Sequence, residues 1–370
     1  MNLLNITAIS ISIVGILYLQ GCGSNIEATV KNTQIIDNNE TIEQSISGKK
    51  SVKISKFIRE DRTLTADTNW LLDGLVVVKK GVTLTVEEGT TVAGMDGIGR
   101  ETSYLIVENG AKIMAIGTKE KPIIFTSYKA LRGEEAAPGQ WGGLTILGDA
   151  GNPQVDSYEA HNAFYAGRSN LKDNSGVLKY VKILNSGIEM EKDKEINGLS
   201  LLGVGSETII DNITIDMSGD DGIEIWGGTV NLTNVSITRC NDDYFDIDDG
   251  FSGSVKNLNI TTTSGTAAIE MSGNTSATFD GFSIVQNGSL KEGGIFFKKD
   301  GIGGVFMNGT VTDNVEDEYG AIHALSSDEV SDRIDKVNTS FRNVILNGSS
   351  KGPKITGTSV KTLSEMIRDS

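Results

Sequence analysis

From Leu64 onward, short runs that alternate apolar and polar residues are separated by Gly, Asn, Asp and Ser. No sustained helical period appears, so the expected elements are short β-strands. The runs stack onto one another. Gly198-Leu199-Ser200-Leu201 is echoed by Gly222-Ile223-Glu224-Ile225 and by Tyr244-Phe245-Asp246-Ile247. Ala268-Ile269-Glu270-Met271, Gly294-Ile295-Phe296-Phe297 and Ala321-Ile322-His323-Ala324 continue the series. Counted on the second residue, the steps are 24, 22, 24, 26 and 27. A second strand recurs in phase, as DNITI, TNVSI, KNLNI, DGFSI and MNGTV, with Asn212, Asn234, Asn257, Gly281 and Asn308 at its turn position.

A period of about 22–27 residues, with short strands and no helix, predicts an all-β chain in which each repeat is one coil of a parallel β-solenoid. Leucine-rich repeats have similar periods, but their L-x-x-L-x-L consensus is absent. The recurring asparagine has a physical role, because amides stacked at one turn can bond the copies above and below. In this register Ile223 and Ile225 point inward and Glu224 points out. The solenoid is expected over residues 51–358, with loop insertions at 128–140 and 149–176, where apolar alternation stops. In solenoids such insertions decorate one face, often the binding face. Residues 359–370 are expected as a short capping helix, with Thr362 and Glu365 as a capping box.

The N-terminus changes the picture of where the domain works. Residues 1–21 read as an export signal, apolar from Ile6 to Leu19, and Leu19-Gln20-Gly21-Cys22 resembles a bacterial lipobox. That resemblance implies a lipidated (palmitate-bearing) Cys22 on an outer-membrane lipoprotein, facing periplasm or exterior. The first five residues carry no Lys or Arg, so an uncleaved anchor is the alternative. Residues 22–50 are polar and aperiodic, a tether of roughly 30 Å root-mean-square span. With Cys22 lipidated, Cys240 stands alone and no intramolecular disulfide is expected. The chain has 370 residues and a net charge of −16, from 33 basic and 49 acidic residues, which argues against a nucleic-acid partner. Gly203-Val204-Gly205 precedes no helix, so a nucleotide site is not expected either.

The candidate chemistry is acidic. NDDYFDIDDG, Asn241 to Gly250, holds five aspartates. The register turns this run into a ladder, since the outward positions read Ser200, Glu224, Asp246, Glu270, Phe296 and His323. Three consecutive carboxylates should stack about 4.8 Å apart. Asp220, Asp221, Asp242 and Asp243 precede the strands, while Asp248 and Asp249 follow. At such separations each like-charge pair costs roughly 1 kcal/mol even in water. The ladder is therefore a solvated ridge, a calcium site on Asp220, Asp221, Asp242, Asp243, Asp246, Asp248 and Asp249, or a catalytic set built on Glu224, Asp246 and Glu270. An EF-hand is excluded, because its first ligand position falls on Phe245. Neighbouring rungs would lie near the roughly 5–5.5 Å of retaining glycosidases. Trp226 and Tyr244 flank the ladder, and Trp141 lies near the first insertion, where aromatic faces could stack on sugars or simply pack. Arg239, Lys256, Lys298 and Lys299 are nearby bases, read first as salt-bridge partners. His323, at the end of the outward column, could be a ligand, but as a lone histidine it is read first as a satisfied surface residue.

Three further stretches carry a family likeness. They are Val82-Thr83-Leu84-Thr85-Val86-Glu87-Glu88-Gly89-Thr90-Thr91-Val92, Lys121-Pro122-Ile123-Ile124-Phe125-Thr126-Ser127 and Gly139-Gln140-Trp141-Gly142-Gly143-Leu144-Thr145-Ile146-Leu147-Gly148. With the repeats, the chain resembles right-handed parallel β-helix proteins of the pectate-lyase-like superfamily, and among them bacterial surface lipoproteins. The resemblance implies a right-handed coil, in line with the general rule for parallel connections. Ser218-Gly219-Asp220-Asp221-Gly222 is similar to the paired aspartates of polygalacturonases, but their Gly-His-Gly and Arg-x-Lys are absent. The expected function is a surface-tethered β-helix that binds a glycan or cell-surface partner, with calcium on the ladder. The alternative is a polysaccharide lyase or glycoside hydrolase using the same carboxylates.

Overall fold

The computed structural model describes residues 40–152, 157–158, 160–192, 194–298, 303–315, 319–324, 339–348 and 355–356. The export signal, Cys22, Lys299 and the 359–370 helix lie outside them. The chain folds as a right-handed parallel β-helix, with 24 strands among the described residues joined in one continuous sheet. Each regular coil contributes a short strand: Leu199–Leu202, Ile223–Trp226, Phe245–Asp248, Ala267–Met271, Gly293–Phe297 and Ile322–Ala324. Each also contributes a long bent strand, such as Asn231–Cys240 or Ser254–Thr262. Both kinds pair parallel with their copies one coil away. Within this sheet Glu40–Ile46 pairs antiparallel with Lys49–Ile58, so the last part of the segment expected as tether joins it.

The bend in each long strand falls on the recurring turn position. Asn212, Asn234, Asn257, Asn308 and Asn343 have φ between 52 and 57°, and Gly281 has φ 73°. Among L-residues asparagine tolerates this left-handed region best, because its short amide can bond locally. The amides also form the expected ladder. Asn257 Nδ2 donates to Asn234 Oδ1 at 3.0 Å and Asn343 Nδ2 to Asn308 Oδ1 at 3.0 Å, while Asn234 and Asn308 donate to Asp211 and Asp280.

Inward residues of all coils merge into one apolar cluster running from Val52 to Phe341. A second, smaller cluster lies outside the coil. There Tyr158, Ala160 and Ala166 of the 149–176 insertion pack onto Val77, Ile106, Leu147 and Leu202. The pairing Val77–Ile106–Thr145–Ser200 places these coils in the same outward column as the acidic ladder. The insertion therefore roofs the apolar end of that face and stops where the carboxylates begin. The first insertion, 128–140, opens with one helical turn, Tyr128–Leu131, capped by Ser127, whose Oγ accepts the Ala130 N–H.

Candidate functional site

The strand register places Ser200, Glu224, Asp246, Glu270, Phe296 and His323 directly above one another. The ladder is not a solvated ridge. Glu224 and Asp246 are each 8% exposed and Glu270 only 2%. Tyr158 closes one end, its ring edge-on to Trp226 with centroids 6.1 Å apart and its hydroxyl 3.4 Å from Ser200 Oγ. Phe296, fully buried, closes the other, with His323 stacked on it at 4.8 Å.

Beside the ladder runs a second carboxylate row that rests on backbone. Asn197 Oδ1 accepts the N–H of Asp221 at 3.2 Å, and Asp221 Oδ1 accepts that of Asp243 at 2.9 Å. Asp243 Oδ1 in turn accepts the N–H of Ala267 at 2.6 Å. Each side chain in this row holds the same position of the next coil. The row leaves Asp221 7% and Asp243 4% exposed. Asn197 also donates to Glu224 Oε2. Its part was legible only as an alignment, since Asn197-Gly198 stands where Asp221-Gly222 and Asp243-Tyr244 stand later.

The two rows converge on Asp246. Asp221, Glu224 and Asp246 bring one carboxylate oxygen each within 4.8 Å of one another, and Asp243, Asp246 and Glu270 do the same. Asp246 Oδ1 and Glu270 Oε2 are buried with no hydrogen-bond partner among the described residues. The cation seen here is Lys298, whose Nζ lies 2.6 Å from Glu270 Oε1. Burial, reinforced by neighbouring carboxylates, pushes Asp221, Asp243 and Asp246 well above the usual aspartate range. Glu292 joins from the next coil. Burial and then Glu270 raise its carboxyl, and its Oε2 also has no hydrogen-bond partner among the described residues. No repeat pattern marked it. Burial works against the charge on Lys298, but Glu270 outweighs it and holds the ammonium above an ordinary lysine.

Of the seven aspartates expected as ligands, Asp221, Asp243 and Asp246 meet, together with Glu224 and Glu270. Asp220, Asp242, Asp248 and Asp249 are not in these groups. Asp242 accepts from Thr266 Oγ1, and Asp248 Oδ1 accepts the Asp249 N–H at 2.6 Å. Tyr244 does not flank the ladder as a stacking surface. It is fully buried in the core, its hydroxyl donating to the Ser264 carbonyl at 3.0 Å and accepting from the Thr263 N–H. Tyr244 lies in the bend just before the strand Phe245–Asp248, so it escapes the alternation that turns Phe245 and Ile247 inward and Asp246 outward. Trp141 is likewise buried, donating to the Leu184 carbonyl. Arg239 belongs to Asp216, with Nε 2.7 Å from Oδ1, and Lys256 sits on a bent strand beside Thr233.

A helix in which coil after coil stacks in register, with its outward carboxylates gathered on the short strands, matches a known family over residues 56–367, described as a pectate-lyase-like beta helix domain. The chain belongs to that family. No curated protein and no solved structure matches it. Membership in the pectate-lyase-like β-helix family supports a carbohydrate-related role and leaves the chemistry to the site. There the donors are all oxygens, with neither sulfur nor imidazole among the converging groups. Such a set suits a hard cation, and irregular carboxylate geometry suits calcium better than magnesium. The unpartnered Asp246 and Glu270 oxygens fit that occupant.

Proposed function

We propose that this chain is a surface-tethered β-helix that holds calcium between Asp221, Glu224, Asp243, Asp246 and Glu270, and binds a glycan or another cell-surface component beside it. The observation that carries the reading is the burial of so many carboxylates against one lysine among the described residues, Lys298. Buried charge is retained only when paired or bound to metal. Calcium, with six to eight oxygen ligands, removes the repulsion that burial otherwise magnifies. Cys22, through its lipid, attaches the domain to the outer membrane. Trp226, half-buried at the seam between insertion and ladder, is the aromatic surface the partner meets.

The alternative, a polysaccharide lyase or hydrolase on the same carboxylates, has one observation in its favour. Carboxyls raised by burial are what a general acid requires. Burial also speaks against it, because a sugar ring must reach both carboxyls of the pair. A panel of acidic and neutral polysaccharides tests the two readings together. The binding reading expects retention of at least one glycan that chelator or Asp246→Asn abolishes, with no cleavage. Cleavage that Asp246→Asn abolishes, in a protein still folded, replaces it with the enzymatic one.

A further inference from the structure

Beyond the acidic ladder, the segments that interrupt the coil meet around a second cavity of about 320 Å³. Its floor is Leu75 and Tyr104, register partners on adjacent strands. One wall is the hairpin Ile188–Glu191 with Lys194–Ile196, which supplies Met190, Glu191 and Lys194. Arg100 and the 160–163 stretch of the insertion complete it.

Tyr104 is the informative residue. It is 3% exposed, it lines the cavity, and no hydrogen bond to its hydroxyl is seen among the described residues. The ring is packed away while the residue borders the cavity, so a ligand there can take up the hydroxyl. Burial raises its pKa to about 12, so it stays a donor throughout the physiological range. Nearby, Arg100 Nε and Lys194 Nζ both face the one carboxylate of Glu191, at 2.5 and 3.6 Å. Among the lining residues two cations share one carboxylate, on a chain of net charge −16. The rest of the lining is mainly apolar, from Leu75 and Met190 to the alanines of the insertion. Ligand pockets have this composition, a mostly apolar lining with a few convergent polar groups, and begin at about 300 Å³.

We propose that this cavity binds a small organic carboxylate with an apolar body. Arg100 and Lys194 take the carboxylate, the Tyr104 hydroxyl donates to it, and the body lies against Leu75 and Met190. None of these residues belongs to the acidic ladder, so the site stands whether or not the ladder holds calcium.

The test is calorimetric titration of the full chain with phenylacetate and with octanoate, using benzyl alcohol as the uncharged control. At least one carboxylate should bind, and which one does distinguishes an aromatic from an alkyl body. Benzyl alcohol should bind at least about tenfold more weakly, and Tyr104→Phe and Arg100→Gln should each raise Kd by about tenfold or more, as expected for losing a hydrogen bond to a charged group. The melting temperature of Tyr104→Phe should stay near that of the parent, since only the oxygen is removed. Chelator and Asp246→Asn should leave binding unchanged. Failure of both carboxylates to bind, equal binding of benzyl alcohol, or binding indifferent to Tyr104→Phe and Arg100→Gln would overturn the proposal. So would binding that disappears in Asp246→Asn, since that places the ligand at the ladder.

Discussion

Asp221 Oδ1 accepts the backbone N–H of Asp243 at 2.9 Å, one coil further on. A carboxylate fixed by the next coil's backbone cannot swing into water to escape its neighbours. The same contact that registers the coils holds the charges together, which ties the stability of this face to whatever neutralises it.

Lys298 is the counter-charge already in place. Lys298→Met leaves Glu270 buried without its partner, and the chelated protein should lose about 1–2 kcal/mol. Breaking a fully buried pair costs more, but the Lys298 side chain is 41% exposed. Calcium affinity should rise by about tenfold, since a cation near the site repels the ion. Calorimetric titration checks both signs, and weaker calcium binding in Lys298→Met would contradict the arrangement.

The pH dependence follows from the raised carboxyls. Asp221, Asp243 and Asp246 titrate well above their ordinary 3.8, burial being the leading cause. A carboxyl whose folded pKa is raised stabilises the native state below the unfolded value and loses that contribution as pH rises through the folded one. Glu88 and Glu191, held low by Lys121 and Arg100, act in the opposite sense, but below their ordinary 4.5. The chelated protein should therefore have a lower urea midpoint at about pH 8 than at about pH 5. Calcium, which needs ionised ligands, should remove or reverse that slope. A chelated midpoint that rises across this window would refute the clustering.

The asparagine ladder makes a prediction about the scaffold alone. Asn257 has φ 55° and donates to Asn234. Asn257→Gly keeps the bend and loses the bond, at a cost of about 1 kcal/mol. Asn257→Ala loses both and should cost about 2 kcal/mol or more. Equal denaturant midpoints for parent and Asn257→Ala would show that the ladder contributes nothing.

Strand register and turn chemistry were legible in the sequence because both repeat. Asn212, Asn234 and Asn257 recur at one offset, and the Glu224–Asp246–Glu270 column follows from counting. Burial of that column was not legible. It depends on Tyr158, from an insertion without periodicity, and on Phe296 and Trp226 closing around it, and such contacts are long-range. The apolar Leu75–Val78 and Tyr104–Val107 runs carried a partial signal, since a strand covered on both faces shows no alternation. Tyr244 was misplaced because it sits in the bend just before the strand Phe245–Asp248, where the two-residue alternation that orders the ladder no longer applies.

The measurement that tests the central claim most directly is thermal unfolding of the protein in calcium and in chelator, for the parent and for Asp246→Asn. Asp246 is shared by both carboxylate triads, so its substitution should remove the site. The parent should melt several degrees higher in calcium, because a ligand bound only by the native state stabilises it by mass action. Asp246→Asn should lose that increment while melting no lower than the chelated parent. Identical melting of the parent in calcium and in chelator would contradict the account.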